Sequence, residues 1–278
     1  MAHATPNPLE AVAPAGHGLT SSERAAWLEQ GFFIRRGFAH EPTMRHMLAR
    51  VVEICRKHAS GDNRTRALVV PEAKRNPRAR GPEDHVSKVF RLHREPEFGE
   101  FACEPDLLAL LAELLGDDID LFLSQFIFKN PGAYGQPWHQ DALYFHMEPQ
   151  AQIGVWLAVT RATLENGCLH VLPGSHREPI HAHVADRRPN SNYGYLEIVD
   201  HDMSASTPVL MDAGDLLVFH SRLMHRSTDN ASEEIRAAMV YHYSPAGTLD
   251  RTPRGPTYVN DWMPVRRRRP ADGVHSRA

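Results

Sequence analysis

The stretch Trp138-His139-Gln140-Asp141-Ala142-Leu143-Tyr144-Phe145, read with GDLLVFHSRLMHRSTDN (214–230) and IRAAMVYHY (235–243), decides how this chain folds. The first stretch holds a histidine and an aspartate two positions apart. The second supplies His225 and Ser227, and the third Arg236. On a β-strand alternate side chains share a face, so His139 and Asp141 point one way and Gln140 the other. An H-x-D pair joined by one distant histidine is the ligand set of a facial 2-His-1-carboxylate iron site with positions left open. H-x-D by itself is a weak signal, and its surroundings give it weight.

Gly214-Asp215 reads as a tight turn and Leu216–Phe219 as a buried strand, with a second turn at Asp229-Asn230. The run 235–243 then alternates. Ile235, Ala237, Met239, Tyr241 and Tyr243 fall on one face; Arg236, Ala238, Val240 and His242 fall on the other. Arg236 is thus a lone guanidinium on a mixed face of a central strand. A buried guanidinium needs a partner, and a carboxylate matches it in two-pronged fashion. Two partners are open: an acid of the chain itself, or an anionic co-substrate. His220 competes with His225 as the distal ligand, and the residues by themselves leave both open.

The runs WHQDALYF (138–145), GVWLAVT (154–160), NGCLHVLPGSH (166–176), 214–230 and 235–243 resemble the phytanoyl-CoA dioxygenase family of Fe(II)/2-oxoglutarate oxygenases, across roughly residues 20–250. The resemblance implies a mainly β fold with flanking helices, a double-stranded β-helix (jelly-roll, cupin-like barrel) holding iron inside one mouth. It implies His139, Asp141 and His225 as Fe(II) ligands and Arg236 as the anchor of 2-oxoglutarate, at the family's offset from the distal histidine, 236 − 225 = 11. Ser227 would help hold the same carboxylate, with Trp156 and Gln125 beside the co-substrate. Lys129 matches a position that can face the substrate pocket, and Tyr144 and Phe145, just after the H-x-D, read either as substrate-cavity lining or as barrel core. Related halogenases lack the carboxylate that Asp141 supplies, so its presence favours hydroxylation. The implied reaction uses O₂ and couples decarboxylation of 2-oxoglutarate, to succinate and CO₂, to hydroxylation of a small organic molecule. An acyl-CoA 2-hydroxylase is the narrower form of this reading. A non-catalytic metal-binding barrel and a zinc hydrolase are the alternatives, since the same ligands hold Zn²⁺.

The net charge is −3, with 31 basic against 34 acidic residues, which leaves no nucleic-acid footprint. No apolar run approaches membrane-spanning length. Cys55, Cys103 and Cys168 form no CxxC pair, which fits a reducing compartment such as the cytoplasm. Oligomeric state is not legible. The spacing predicts helices over 21–30, 43–57 and 105–115 and strands at 32–35, 121–129 and 168–172. Residues 1–19 read as a flexible lead without a secretory pattern, 20–250 as one domain, and 251–278 as an extended Arg/Pro-rich tail with Arg266–Arg269 solvated. Residues 60–85 read as a mobile loop and 177–207 as a polar insertion over the mouth. His146, His170 and His176 read as rim or surface residues, and His242 as a core histidine or a pocket residue.

Overall fold

A computed structural model describes residues 18–62, 64–74, 76–192, 194–252 and 259–268. Its frame is an antiparallel sheet whose strands run in the order Phe32–Arg35, Leu216–His220, Ile153–Ala158, Arg236–Pro245, Ile119–Lys129, Val86–Phe90 and Leu68–Pro71. Met263–Arg266 also pairs with Ile119–Lys129. A three-stranded sheet, Thr207–Val209, Leu169–Val171 and His225–Ser227, faces it. The two enclose the jelly-roll interior expected from the sequence. Between them pack Phe32, Trp156, Leu169, Val171, Leu217 and Phe219.

The alternation read from 235–243 holds. Ala237, Met239, Tyr241 and Tyr243 join the core beneath the helices. Arg236, Val240 and His242 turn to the opposite face and line a cavity. Helix Ser21–Gln30 begins with the reciprocal Thr20–Glu23 capping box and ends at Gly31 in the left-handed region (φ 85°). Helix Glu41–Ala59 covers the sheet with Met44, Met47, Val51, Ile54 and Cys55, while Pro105–Leu115 starts on its proline and ends at Gly116.

Three expectations are corrected. Residues 60–85 are more than a loop: Leu68–Pro71 adds an edge strand to the main sheet and Pro82–His85 forms a 3₁₀ turn. The described part of the C-terminal stretch is not a free extension. Asp261 pairs with Arg94 at 2.6 Å, Trp262 packs on Phe122, and Met263–Arg266 is a strand. Nor are the described arginines simply solvated. Arg267 pairs with Asp120 and donates to the Ile119 carbonyl (2.8 Å), Arg266 faces Asp117, and the Arg268 amide donates to Asp118. An aspartate-rich turn before the Ile119–Lys129 strand offsets their charge. Arg269 and residues 1–17 lie outside the described residues.

Tyr241 and Tyr243 fasten the short helix Pro96–Ala102 to the sheet, their hydroxyls donating to the carbonyls of Phe98 (2.9 Å) and Ala102 (3.0 Å). Tyr243→Phe keeps the ring and leaves a buried carbonyl short of a donor. Urea unfolding should show a loss of about 1–2 kcal/mol with an unchanged slope; an unaltered midpoint would mean that the hydroxyl contributes nothing.

Candidate active site

His139 is not on a regular strand, contrary to the sequence reading. It makes one isolated antiparallel bridge with His225, sealed by backbone hydrogen bonds of 2.9 and 3.0 Å. Gln140 is extended (φ −116°, ψ 126°) and Asp141 opens a 3₁₀ turn. One extended residue is enough to set His139 and Asp141 on the same side. Gln140 is fully buried on the other side, bonded to the carbonyls of Pro179 and Arg222.

The orientation of both imidazoles is fixed from behind. His139 Nδ1 donates to the Pro137 carbonyl (2.7 Å) and His225 Nδ1 to that of Leu223 (2.9 Å). Each Nε2 is thereby left with its lone pair facing Asp141, whose Oδ1 lies 3.4 Å from His139 Nε2 and 3.8 Å from His225 Nε2. The three donor atoms lie within 4.8 Å of one another. Burial, helped by the neighbouring His139, pushes the His225 pKa down to about 4, so the ring is neutral and fit to bind a metal. Burial opposes ionisation of Asp141, but the His225, His139 and His242 rings more than offset it and keep the carboxyl below its usual range. Two imidazole nitrogens and a carboxylate converging on one point fit Fe(II).

Beside this triad lies a group of unsatisfied donors. Arg236 and Lys129 are cross-strand partners, 2% and 3% exposed. Among the described residues neither forms an ion pair. Directly opposed like charges destabilise a sheet, and burial without a counter-ion adds to that. Among the described residues Arg236 Nε and Nη1 and Trp156 Nε1 have no hydrogen-bond partner, and the guanidinium lies 5.5 Å from the Trp156 ring. Burial lowers the Arg236 pKa to about 10 and, with repulsion from Arg236, puts that of Lys129 well below its ordinary value. Lys129 Nζ donates to Ser227 Oγ (2.7 Å) and to the Thr228 carbonyl (2.5 Å). The Gln136 amide also donates to Ser227 Oγ (3.0 Å), which leaves the hydroxyl hydrogen free for a further acceptor. That approach requires Gly135, where a Cβ would come within 1.9 Å of the Ser227 carbonyl. Every open group here is a donor, so the pocket suits an anion with several oxygens, as a dicarboxylate has.

These groups line one cavity of about 530 Å³, the size of a small-molecule site. Its remaining wall is largely apolar, including Val70, Phe90, Leu123, Ile127, Phe145 and Val259. All ten site residues expected from the sequence line this cavity: His139, Asp141, His225, Arg236, Ser227, Trp156, Gln125, Lys129, Tyr144 and Phe145. His242 lines it too, its Nε2 3.8 Å from Asp141 Oδ2 and its Nδ1 unpartnered, so it is not a satisfied core histidine. His220 packs against Trp27 and His176 outside the cavity, so it is no rival to His225. His176 is buried rather than at the rim.

Sequence reasoning missed Gln136, whose amide donates to His139 Nε2 (2.9 Å), and Lys88, 3.3 Å from the Gln136 carbonyl oxygen. A lysine inside the apolar run VSKVF was the available signal for Lys88. Nothing local marked the wall residues Glu72, Ala73, Asn192 and Tyr195.

The depressed Lys129 pKa has a measurable consequence. Between its folded value and about 10.4, the unfolded chain binds a proton that the folded chain has released, so Lys129 makes stability rise with pH up to the unfolded value and fall as pH drops toward the folded one. Urea unfolding of the ligand-free protein between pH 7 and 9.5 should show this rise flattened in Lys129→Met; equal slopes would mean that Lys129 titrates normally.

A family model described as phytanoyl-CoA dioxygenase matches residues 27–238. The chain is 27% identical over 237 residues to the peroxisomal phytanoyl-CoA dioxygenase of Bos taurus, covering 82% of this chain and 69% of that protein. It is 31% identical over 160 residues to phytanoyl-CoA dioxygenase 1 of Oryza sativa subsp. japonica, covering 56% of this chain and 57% of the relative. Among solved structures, the non-heme monooxygenase ThoJ superposes with a TM-score of 0.67 at 21% identity, over 88% of this chain and 84% of that one. EctD from S. alaskensis, with 2-oxoglutarate and 5-hydroxyectoine, gives 0.65 at 19%, over 86% and 81%. The fold is therefore shared with non-haem iron oxygenases, and the chain belongs to the phytanoyl-CoA dioxygenase family.

Proposed function

We propose that the protein is an Fe(II)/2-oxoglutarate-dependent dioxygenase that hydroxylates a C–H bond of a small, largely apolar molecule. One observation carries this reading: a 2-His-1-carboxylate cluster and a set of uncompensated buried donors share a single cavity. The first suits iron and the second a dicarboxylate, and a zinc hydrolase or a bare metal-binding barrel has no use for the second.

In this reading His139, Asp141 and His225 hold the metal, while the carbonyls behind the two histidines keep their orientation. Arg236, with Lys129, Ser227 and Trp156, takes the far carboxylate of 2-oxoglutarate. Iron, 2-oxoglutarate and O₂ together supply the oxidation that places a hydroxyl on the substrate and release succinate and CO₂. The chain's own part is orientation and exclusion of water. Phe145, Leu123, Val240 and Phe219 surround the metal-facing space with apolar surface, and Tyr144, whose hydroxyl accepts from the Leu196 amide, ties that wall to the 177–207 segment.

The narrower reading, an acyl-CoA 2-hydroxylase, is favoured by the apolar cavity together with cations around Tyr134 in its wall. Lys74 Nζ lies 3.9 Å from that ring and would suit a phosphate group, while the Arg188 guanidinium, 4.9 Å from it, is held by Asp186. A cytoplasmic setting fits three unpaired thiols and the absence, among the described residues, of any helix long and apolar enough to cross a membrane.

Succinate release from 2-oxoglutarate tests this. Asp141→Ala should abolish it, and Arg236→Ala should raise the KM for 2-oxoglutarate on the order of 10- to 100-fold, the equivalent of a lost charge-assisted contact. Turnover surviving Asp141→Ala, or an unmoved KM in Arg236→Ala, would overturn the assignment.

A further inference from the structure

We propose that Glu178, His181 and His201 form a second metal site, suited to Zn²⁺, that clamps the two ends of the 177–207 segment. It is separate from the oxygenase centre and does not depend on that reading. Glu178 Oε2 lies 2.9 Å from His181 Nε2 and 2.9 Å from His201 Nε2, and all three donors lie within 4.8 Å of one another. In a tetrahedral zinc site with bonds near 2.0–2.1 Å the donors stand about 3.3 Å apart, so small side-chain adjustments admit the ion. The three residues are partly exposed, which leaves water free to complete the coordination.

His201 carries the argument. Its Nδ1 lies 3.0 Å from the Asp202 carbonyl and its Nε2 2.9 Å from Glu178 Oε2, so both ring nitrogens face acceptors. A neutral imidazole has one N–H and can satisfy only one of them. A positive centre at Nε2, a proton or a metal ion, resolves the conflict, and two imidazole nitrogens turned to one carboxylate oxygen supply a metal ion's donor set: Nδ1–H donates to the carbonyl and Nε2 becomes a ligand, the usual arrangement of a metal-bound histidine. His181 and His201 rings meet edge to face at 5.0 Å, both turned to the same carboxylate.

The position gives the clamp a use. Glu178 and His181 lie where the segment leaves the barrel and His201 where it returns, while Asn192, Gly194 and Tyr195 between them line the cavity. The His181 amide donates to Gln140 Oε1 (2.9 Å) and the Gln140 amide to His183 Nε2 (3.2 Å), so the clamped end rests on the residue between His139 and Asp141. Closing this loop with an ion removes freedom from the substrate wall.

The test uses the full chain carrying His139→Ala and Asp141→Ala, which disables the first site, and reads Zn²⁺ by equilibrium dialysis and trypsin cleavage at the exposed Arg187. One bound equivalent and slowed cleavage are expected, both lost when His201→Ala is added. Should that chain fail to fold, Glu178→Gln in the same background is read instead and should lose the equivalent too. No zinc bound in the background, or an equivalent retained after His201→Ala or Glu178→Gln, would overturn the proposal. Because the first site is absent throughout, the result is independent of whether the oxygenase assignment holds.

Discussion

Two buried basic side chains set directly across from each other, Lys129 and Arg236, are the constraint around which this interior is arranged. A sheet gains nothing from that pair in isolation, because two charges here would repel and burial strips solvation from either. The main sheet tolerates it through partial compensation: Ser227 Oγ and the Thr228 carbonyl accept from Lys129, and the Trp156 ring faces Arg236. What remains unsatisfied is a cluster of donors in a cavity that also holds three metal-type ligands. A local cost in stability that persists in a folded chain points to a ligand that relieves it.

The rest of the fold places that ligand next to the metal position. The Arg236–Pro245 strand carries Arg236 at one end of the cavity and His242 near Asp141 further along. The smaller sheet delivers His225 and Ser227 from one short strand, and the bridge to His139 brings the H-x-D segment alongside. Cation, hydroxyl and metal ligands therefore come from two facing sheets whose separation is set by Trp156, Leu169 and Phe219 packed between them. The rest of the cavity wall comes from elsewhere, in part from the edge strand at 68–71 and the 177–207 segment.

What was legible in the sequence follows from this division. The period-2 alternation of 235–243 correctly separated Tyr241 and Tyr243 from Arg236 and His242, because a central strand between two packed faces has no freedom to slip. The interval from His225 to Arg236 was legible through the family resemblance, and it spans consecutive strands of the two facing sheets. The pairing of Lys129 with Arg236 was not, because it depends on the register of strands far apart in sequence. The H-x-D geometry came out as expected for a different reason, a single bridge followed by a 3₁₀ turn instead of a strand. The expectation of a solvated arginine run ignored Asp117, Asp118 and Asp120, whose proximity only the Met263–Arg266 pairing creates. His242 was ambiguous in sequence because burial alone does not distinguish a core imidazole from one facing a cavity.

The central claim is that one cavity takes iron and 2-oxoglutarate together. Anaerobic titration of the protein with Fe(II) and 2-oxoglutarate, followed in the visible range, tests it most directly. The account predicts a metal-to-ligand charge-transfer band that saturates at one equivalent of each. No band with the intact protein would contradict it and favour a zinc hydrolase or a metal-binding barrel on the same fold.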